Sequence, residues 1–513
     1  MLRKLSFPLP SRAYWTCSLL RSNVNPAAGN RIATMATEAT RGVGKGGTIA
    51  DVFTTLGPKA DVAPLPARFS AVKKEVLRDM GVTPDKLELA WKGVLKALEP
   101  RVQEIISKGG NIIPRISYKE VNDGFSESQK DAIRKTGVVV ITGGVPEEEA
   151  LRWKCLMKGY IAANPVTGFP PENIQAYELY NSKPQIYART HDCLLNTQKA
   201  LLSLWHSSAS FPDSIDFTTP ISYFDRLRIR TPGDRSFTLG PHIDGGSVER
   251  WEDTAFRRVW TKILYGGQSG WESFDPFDAT WRVNAKQDLY NAPNQCTILR
   301  CWQGWTSMSS TGINDGTLRV LPMLSLATTY IILRPFFKPR SIATGQPLTK
   351  AVNVSLAAED WELNLEGSEF PGSVPGKAQE LHEATHPHLR LAETMVSIPK
   401  IDPGDQVYWH CDTVHAVEGE HMGKEDSSVL YIPAAPLCVK NASYLRSQRA
   451  NFVHGLPAPD FPGGEGESRF LDRATPQDIT SQQGRQATGF EPFIATNDAN
   501  AALVEEANKI LFG

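Results

Sequence analysis

The alternation of apolar and polar positions divides the chain into two main textures. From about Pro66 to Lys108, Phe69, Val72, Val76 and Leu77 recur at helical spacing. Leu87, Leu89, Trp91, Val94 and Leu95 form a second apolar face, so the spacing predicts two amphipathic helices there. Gly137-Val138-Val139-Val140-Ile141 is a short apolar β run closed by Gly143-Gly144. Pro146-Glu147-Glu148-Glu149 then opens a helix, its acids in the first turn where the helix dipole favours them. A further helix is predicted from Cys193 to Trp205. After Pro220 the texture changes to short strands, at 221–230, 295–307, 316–324, 328–337, 397–410 and 428–437, separated by Gly, Pro, Asn and Asp. No internal repeat is visible.

Dispersed short strands without helical crossovers predict an α+β chain whose core is a jelly roll rather than a parallel sheet. The reading is of one domain over 64–513. It has a helical part at 64–219 and a strand core at 220–437 that carries a polar insertion at 338–396. An extension at 438–513 turns loop-rich after Asn441 and ends in an amphipathic helix near Ala501 to Leu511. Residues 38–63 are rich in Gly, Thr and Ala and read as a flexible arm. In residues 1–37 there is no acid before Glu38, while Arg3, Lys4, Arg12, Arg21 and Arg31 are spread among Leu, Phe, Trp and Ser. That is the composition of a mitochondrial import leader. Met35 also opens a plausible polar N-terminus. The location is read as intracellular, mitochondrial if the leader is used and cytoplasmic otherwise.

Composition changes this picture in a few places. A length of 513 residues suggests about three domains at roughly 150 residues each, which the strand pattern replaces with one. Lys+Arg 55 against Asp+Glu 56 leaves a net charge of -1. No cationic surplus exists for phosphate contacts, so no nucleic-acid partner is expected and a small-molecule substrate is the default. The best apolar run, 326–333, is far too short to span a bilayer, so no membrane partner is expected. The seven cysteines are odd in number, scattered and without a Cys-x-x-Cys pair. They read as reduced thiols rather than a zinc or disulfide framework.

The candidate chemistry lies in Leu239-Gly240-Pro241-His242-Ile243-Asp244-Gly245-Gly246. Residues two apart on a strand point the same way, so His242 and Asp244 present a nitrogen and an oxygen to one point. A distant histidine would complete the two-His-one-carboxylate set of non-haem Fe(II) oxygenases. With ten histidines, about half a His-x-Asp is expected by chance, and His410-Cys411-Asp412 is a second one. His242-Ile243-Asp244 is preferred because it stands early in the strand region. Its flanking glycines would also let a substrate approach. The third ligand is sought in Pro403 to His415, where a Gly404-Asp405 turn launches an apolar strand and a histidine follows its end.

This segment resembles the phytanoyl-CoA-hydroxylase and clavaminate-synthase-like 2-oxoglutarate oxygenases. In that superfamily Gly-Asp begins a late strand of a double-stranded β-helix, and a histidine ten residues after the Asp is the distal ligand. The resemblance therefore implies His415 as third ligand, Fe(II) as the metal, 2-oxoglutarate as co-substrate and O2 as oxidant. It also implies a cupin-like double-stranded β-helix with flanking helices. Gly316-Thr317-Leu318-Arg319-Val320-Leu321-Pro322 looks like the family's Gly-x-Leu-x-Val-x-Pro strand. Asp225 to Arg230, Gly245 to Trp251 and Gln303-Gly304-Trp305 resemble a narrower microbial branch, a domain-of-unknown-function family represented by bacterial YbiU.

One departure stands out. The superfamily places an Arg about a dozen residues after the distal histidine to grip the far carboxylate of 2-oxoglutarate. Here that stretch reads Glu425-Asp426-Ser427-Ser428. The candidate anchors are Arg319, on a core strand, and Arg226 and Arg228, which alternate with Arg230 and either face inward or form a solvated edge. The missing anchor leaves two other readings open: a jelly-roll metal- or ligand-binding protein without turnover, and an Fe(II) dioxygenase that uses no 2-oxo acid. Trp302, Trp305 and Trp409 read as core, and His382, His386 and His388 as a solvated loop. Tyr180, Gln185 and Arg189 are candidates to close over a pocket.

Overall fold

The computed structural model describes residues 46–56, 65–208, 215–267, 270–341 and 354–513. The leader expected at 1–37 and part of the expected arm lie outside the described residues. The two N-terminal helices form where the apolar spacing places them, at Arg68–Met80 and Pro84–Lys108. Gly81, at φ 62°, closes the first in the left-handed conformation that glycine adopts without strain. Leu87, Trp91 and Val94 are buried, and Trp91 stacks on Phe337 with centroids 4.5 Å apart. Further helices form at Glu147–Ala163, Asp192–Leu202 and Asp498–Phe512.

Two large sheets dominate a mixed α+β architecture. The larger has eight strands, in spatial order Arg115–Ser117, Val138–Thr142, Gln406–His410, Trp302–Ser307, Ser427–Tyr431, Leu227–Arg230, Ala176–Tyr177 and Gly168–Phe169. Its first pair is parallel and all others are antiparallel. The smaller has five, in the order Gln379–Glu380, His242–Ile243, His415–Val417, Leu318–Val320 and Val396–Ser397, all antiparallel. Neighbours in both sheets come from distant parts of the chain, so neither sheet can form from a contiguous piece. Alternate residues of the two sheets line one cavity: Gln303, Trp305, Arg228 and Tyr431 from the larger, His242, His415, Val417 and Leu318 from the smaller. Among the described residues no helix is long and apolar enough to cross a membrane.

Several expectations are corrected. The strand expected at 328–337 is mostly the helix Leu324–Leu333, whose residues Ala327 to Leu333 are all buried. A helix covered on every side is apolar on every side, so its sequence carries no period to separate it from a buried strand. The strand expected from 295 begins only at Trp302. The loop-rich region expected after Asn441 opens with a helix, Val439–His454. The described part of the 338–396 insertion is no polar excursion. It buries Trp361, Phe370, Leu381 and Leu389 in the main core and supplies the Gln379–Glu380 edge of the smaller sheet. His386 and His388, expected in a solvated loop, are buried, and His388 packs against Trp91, Tyr330 and Trp361.

Burial pushes His388 and His410 down to about 3, and His386 well below its ordinary value. Below their ordinary value of 6.5 these rings take up protons in the unfolded chain but not in the folded one. Stability is therefore lost as pH falls from 6.5 toward 3, by about 1.4 kcal/mol per pH unit for each ring. Urea midpoints should fall steadily across the upper part of that window, and His410→Gln should show a shallower slope. A midpoint that stays level with pH would contradict the assignment.

Candidate metal centre

His242–Ile243 is only two residues long, held between Gln379–Glu380 and His415–Val417. His415 lies directly opposite His242 in the ladder. Opposed residues of an antiparallel pair project from the same face, which sets the two rings side by side with centroids 4.1 Å apart. Asp244 follows two residues after His242 and shares its side. Its Oδ1 is 3.7 Å from His242 Nε2, and its Oδ2 is 3.6 Å from His415 Nε2. One ligand atom from each of the three residues falls within 4.8 Å of the others.

The hydrogen bonds of the two rings decide what this set can hold. His242 Nδ1 sits 2.7 Å from the Gly240 carbonyl, and His415 Nδ1 sits 3.0 Å from the Thr413 carbonyl. A carbonyl only accepts, so each Nδ1 carries a proton and each Nε2 of a neutral ring presents a lone pair. Burial, and then the charge at His415, push His242 down to about 4, so it is neutral at physiological pH. Burial resists ionisation of Asp244, but His415, His242 and Arg300 outweigh it and hold the carboxyl far below its ordinary range. Two imidazole Nε2 atoms and a carboxylate thus converge on one point, a donor set that a divalent cation satisfies. The donor types fit Fe(II) or another imidazole- and carboxylate-binding divalent ion.

A surrounding layer fixes the set. In the amide orientation that satisfies both neighbours, Gln303 donates to Asp244 Oδ2 at 2.7 Å and accepts from Trp409 Nε1 at 3.3 Å. Arg250 donates to the Asp244 carbonyl at 3.1 Å and to the Gly246 carbonyl, pinning the turn after the ligand. Gly245 and Gly246 adopt φ of 81° and 74°, and a Cβ on either would collide with Gln287. The glycines therefore serve the turn and its packing, and Gly245 also lines the cavity. Phe53 sets its edge against His242 at 4.8 Å, and Trp409 lies 5.3 Å from His415.

The cavity beyond these ligands, about 150 Å³, is lined by four arginines, Arg226, Arg228, Arg230 and Arg300. Three have acidic neighbours. Arg230 is bound to Asp234 at 2.9 Å, Arg226 faces Glu178 at 3.7 Å and Asp225 at 3.6 Å, and Arg300 lies 3.8 Å from Asp244 and 3.9 Å from Asp225. Arg228 has no carboxylate within 4.0 Å among the described residues. It rests on the Phe237 ring at 4.7 Å and donates to the Phe237 carbonyl at 3.1 Å, and burial lowers its pKa. Arg228 pairs with Val429 across the ladder and Arg230 with Ser427. Arg228 and Arg230 thus bring cations to the cavity from the strand beside 427–431. Asp426 does not face the cavity, being held by Lys154 and Lys158 at 2.7 Å each. Arg319 is also placed elsewhere: it is not among the lining residues, and its guanidinium donates to the Met395 carbonyl at 2.7 Å.

His410-Cys411-Asp412 also brings three donors together, but its groups are already committed. His410 stacks on Trp205 at 4.6 Å, meets the Pro276 carbonyl through Nε2 at 3.1 Å and accepts the Asp412 N–H on Nδ1 at 3.0 Å. Asp412 is paired with Arg282 at 2.6 Å. Tyr180, Gln185 and Arg189 do not line the cavity; Gln185 and Arg189 donate to the Asp225 carbonyl, Gln185 at 3.3 Å, and brace the strand behind it. Trp305 and Trp409 line the cavity while Trp302 is core. Sequence reasoning missed Arg300, Phe53 and Arg250. Arg300 falls in the stretch expected as strand from 295 but precedes the strand that forms at Trp302, and Phe53 lies in the expected arm.

Comparison with known proteins places the chain in a family. The Gig2-like family model matches residues 63–490, and the chain belongs to that family. It is 28% identical over 443 residues to the uncharacterised protein YbiU of Escherichia coli, covering 83% of this chain and 98% of that protein. The crystal structure of GlcNAc Inducible Gene 2 (DUF1479) from Candida albicans superposes with a TM-score of 0.77 at 28% identity, covering 88% of this chain and 96% of that one. A Salmonella typhimurium LT2 protein superposes with a TM-score of 0.69 at 27% identity, covering 84% and 99%.

Replacing Asp244 or His415 by Ala should cost roughly 100-fold or more in Co(II) affinity by calorimetry, and Gln303→Leu roughly 10- to 100-fold. Asp412→Ala should leave that affinity unchanged while destabilising the fold by about 3–5 kcal/mol, because Arg282 is left buried and unpaired. Loss of Co(II) binding in Asp412→Ala alone would relocate the centre.

Proposed function

We propose that this chain is a non-haem Fe(II), 2-oxoglutarate-dependent dioxygenase that oxidises a small-molecule substrate with O2. We read its two sheets, which line one cavity from both sides, as a double-stranded β-helix core with flanking helices. The observation that carries the reading is the convergence of His242, Asp244 and His415 on one point of a cavity that Arg228 also lines. Fe(II) held by those three residues would supply O2 activation coupled to oxidative decarboxylation of a 2-oxo acid. The remaining work falls to the chain. Arg228 offers a planar fork that matches the far carboxylate of 2-oxoglutarate, and no carboxylate among the described residues competes for it, only the Phe237 carbonyl. Tyr431 lies beside it. Gln303 orients the Asp244 carboxylate, and Phe53, Trp305 and Trp409 keep water from the ligands.

Arg228 is also what favours this reading over a binding protein without turnover or an enzyme that uses no 2-oxo acid. Neither alternative requires a guanidinium without a carboxylate partner in the same cavity. Anaerobic addition of Fe(II) and 2-oxoglutarate should give a weak visible charge-transfer band, and admission of O2 should yield succinate. His415→Ala should abolish both. Arg228→Met should raise the 2-oxoglutarate concentration needed by roughly 100-fold, the loss of one charge-assisted bidentate contact. A band that survives His415→Ala, or no band at all, would overturn the proposal.

A further inference from the structure

Residues 46–56 were expected to be part of a flexible arm, yet they lie against the metal centre. Thr48 and Asp51 close a reciprocal cap on the short turn Ile49–Asp51, so the segment carries its own shape. Ile49, Val52 and Phe53 are each less than a tenth exposed, and all three line the cavity. They pack with Ala176, Phe237 and Ala378 in a small cluster separate from the main core. The attachment is made largely by one carboxylate. Glu380 accepts from the Thr54 amide at 2.6 Å, the Thr55 amide at 3.3 Å and the Thr55 hydroxyl at 2.5 Å. Lys377 adds a bond to the Asp51 carbonyl and the Ala378 amide one to the Val52 carbonyl, both at 2.9 Å. Glu380 itself stands opposite His242 in the ladder, so the latch and the metal ligand share one strand pair.

We infer that residues 46–56 form a clamp over the metal centre, latched by Glu380, which opens for entry and closes over a loaded site. Phe53 shields His242, so an open clamp exposes the ligand to water. Phe237 links the clamp to the anion anchor. It packs against the clamp residues on one side, and the Arg228 guanidinium rests on its ring. An anion drawn to Arg228 fixes Phe237 and thereby the surface on which the clamp closes. The clamp belongs to no sheet and no core helix, so its release leaves the ladder beneath intact. The inference rests on the Fe(II)/2-oxoglutarate reading for what is covered, but not for the latch itself.

Two measurements on the full chain separate these parts. The first is amide hydrogen exchange of residues 46–56 in metal-free protein. Thr54 and Thr55 should be protected, and Glu380→Ala should speed their exchange about 10-fold or more without altering the two sheets. Thr55→Val, a milder change, should give a smaller effect in the same direction. The second is the rate at which EDTA extracts Co(II) from loaded protein. Glu380→Ala and Phe53→Ala should each speed extraction about 10-fold, and 2-oxoglutarate should slow it in the wild type but not in Arg228→Met. Free-peptide exchange of Thr54 and Thr55 in the wild type would overturn the clamp, as would extraction at the wild-type rate from both variants. A wild-type chain that takes up no Co(II) would remove the metal reading, and the exchange experiment would still decide the latch.

Discussion

The pairing of His415 with His242 is the contact on which the rest of the site depends. The two strands that carry it are three and two residues long, too short to hold themselves by their own ladder bonds. They are fixed because the main core, from the N-terminal helices to the 354–396 segment, packs around the smaller sheet. Once the rings are side by side and buried, their chemistry follows. Each Nδ1 turns to a backbone carbonyl, each Nε2 faces Asp244, and burial keeps His242 neutral. The fold thus gathers two imidazoles and a carboxylate at one point.

Much of this was legible in the chain, for physical reasons that differ from residue to residue. The His242–Asp244 pair could be read because period-two geometry is local. The N-terminal helices could be read because one face of each is wet and the other dry. Helix Leu324–Leu333 could not, since burial on all sides erases the period. The position of Arg228 in the cavity was only half legible. Alternation put Arg226, Arg228 and Arg230 on one face, but which was free depended on Glu178, Asp225 and Asp234, and nothing in spacing assigns those partners. His415 entered through a family resemblance, and the ladder register then set it beside His242.

Arg228 and Val429 face the same cavity across one ladder, so the cavity's cation stands on the strand beside 427–431. The stretch that lacks the cation instead turns Asp426 outward to Lys154 and Lys158. Residues 46–56 show the converse error of reading composition as disorder. Gly, Thr and Ala are poor core formers, yet three apolar residues and two threonines suffice when a buried carboxylate waits for their amides. Family membership fits this arrangement without assigning it an activity, so the chemistry is argued from the residues.

The central claim is that His242, Asp244 and His415 hold one divalent metal with room for a chelating co-substrate. Anomalous diffraction at the iron edge, from crystals grown anaerobically with Fe(II) and 2-oxoglutarate, tests it most directly. The account predicts one strong peak bonded to His242 Nε2, His415 Nε2 and an Asp244 oxygen, with the far carboxylate of 2-oxoglutarate on Arg228. A peak at His410-Cys411-Asp412, or none between the two sheets, would contradict it.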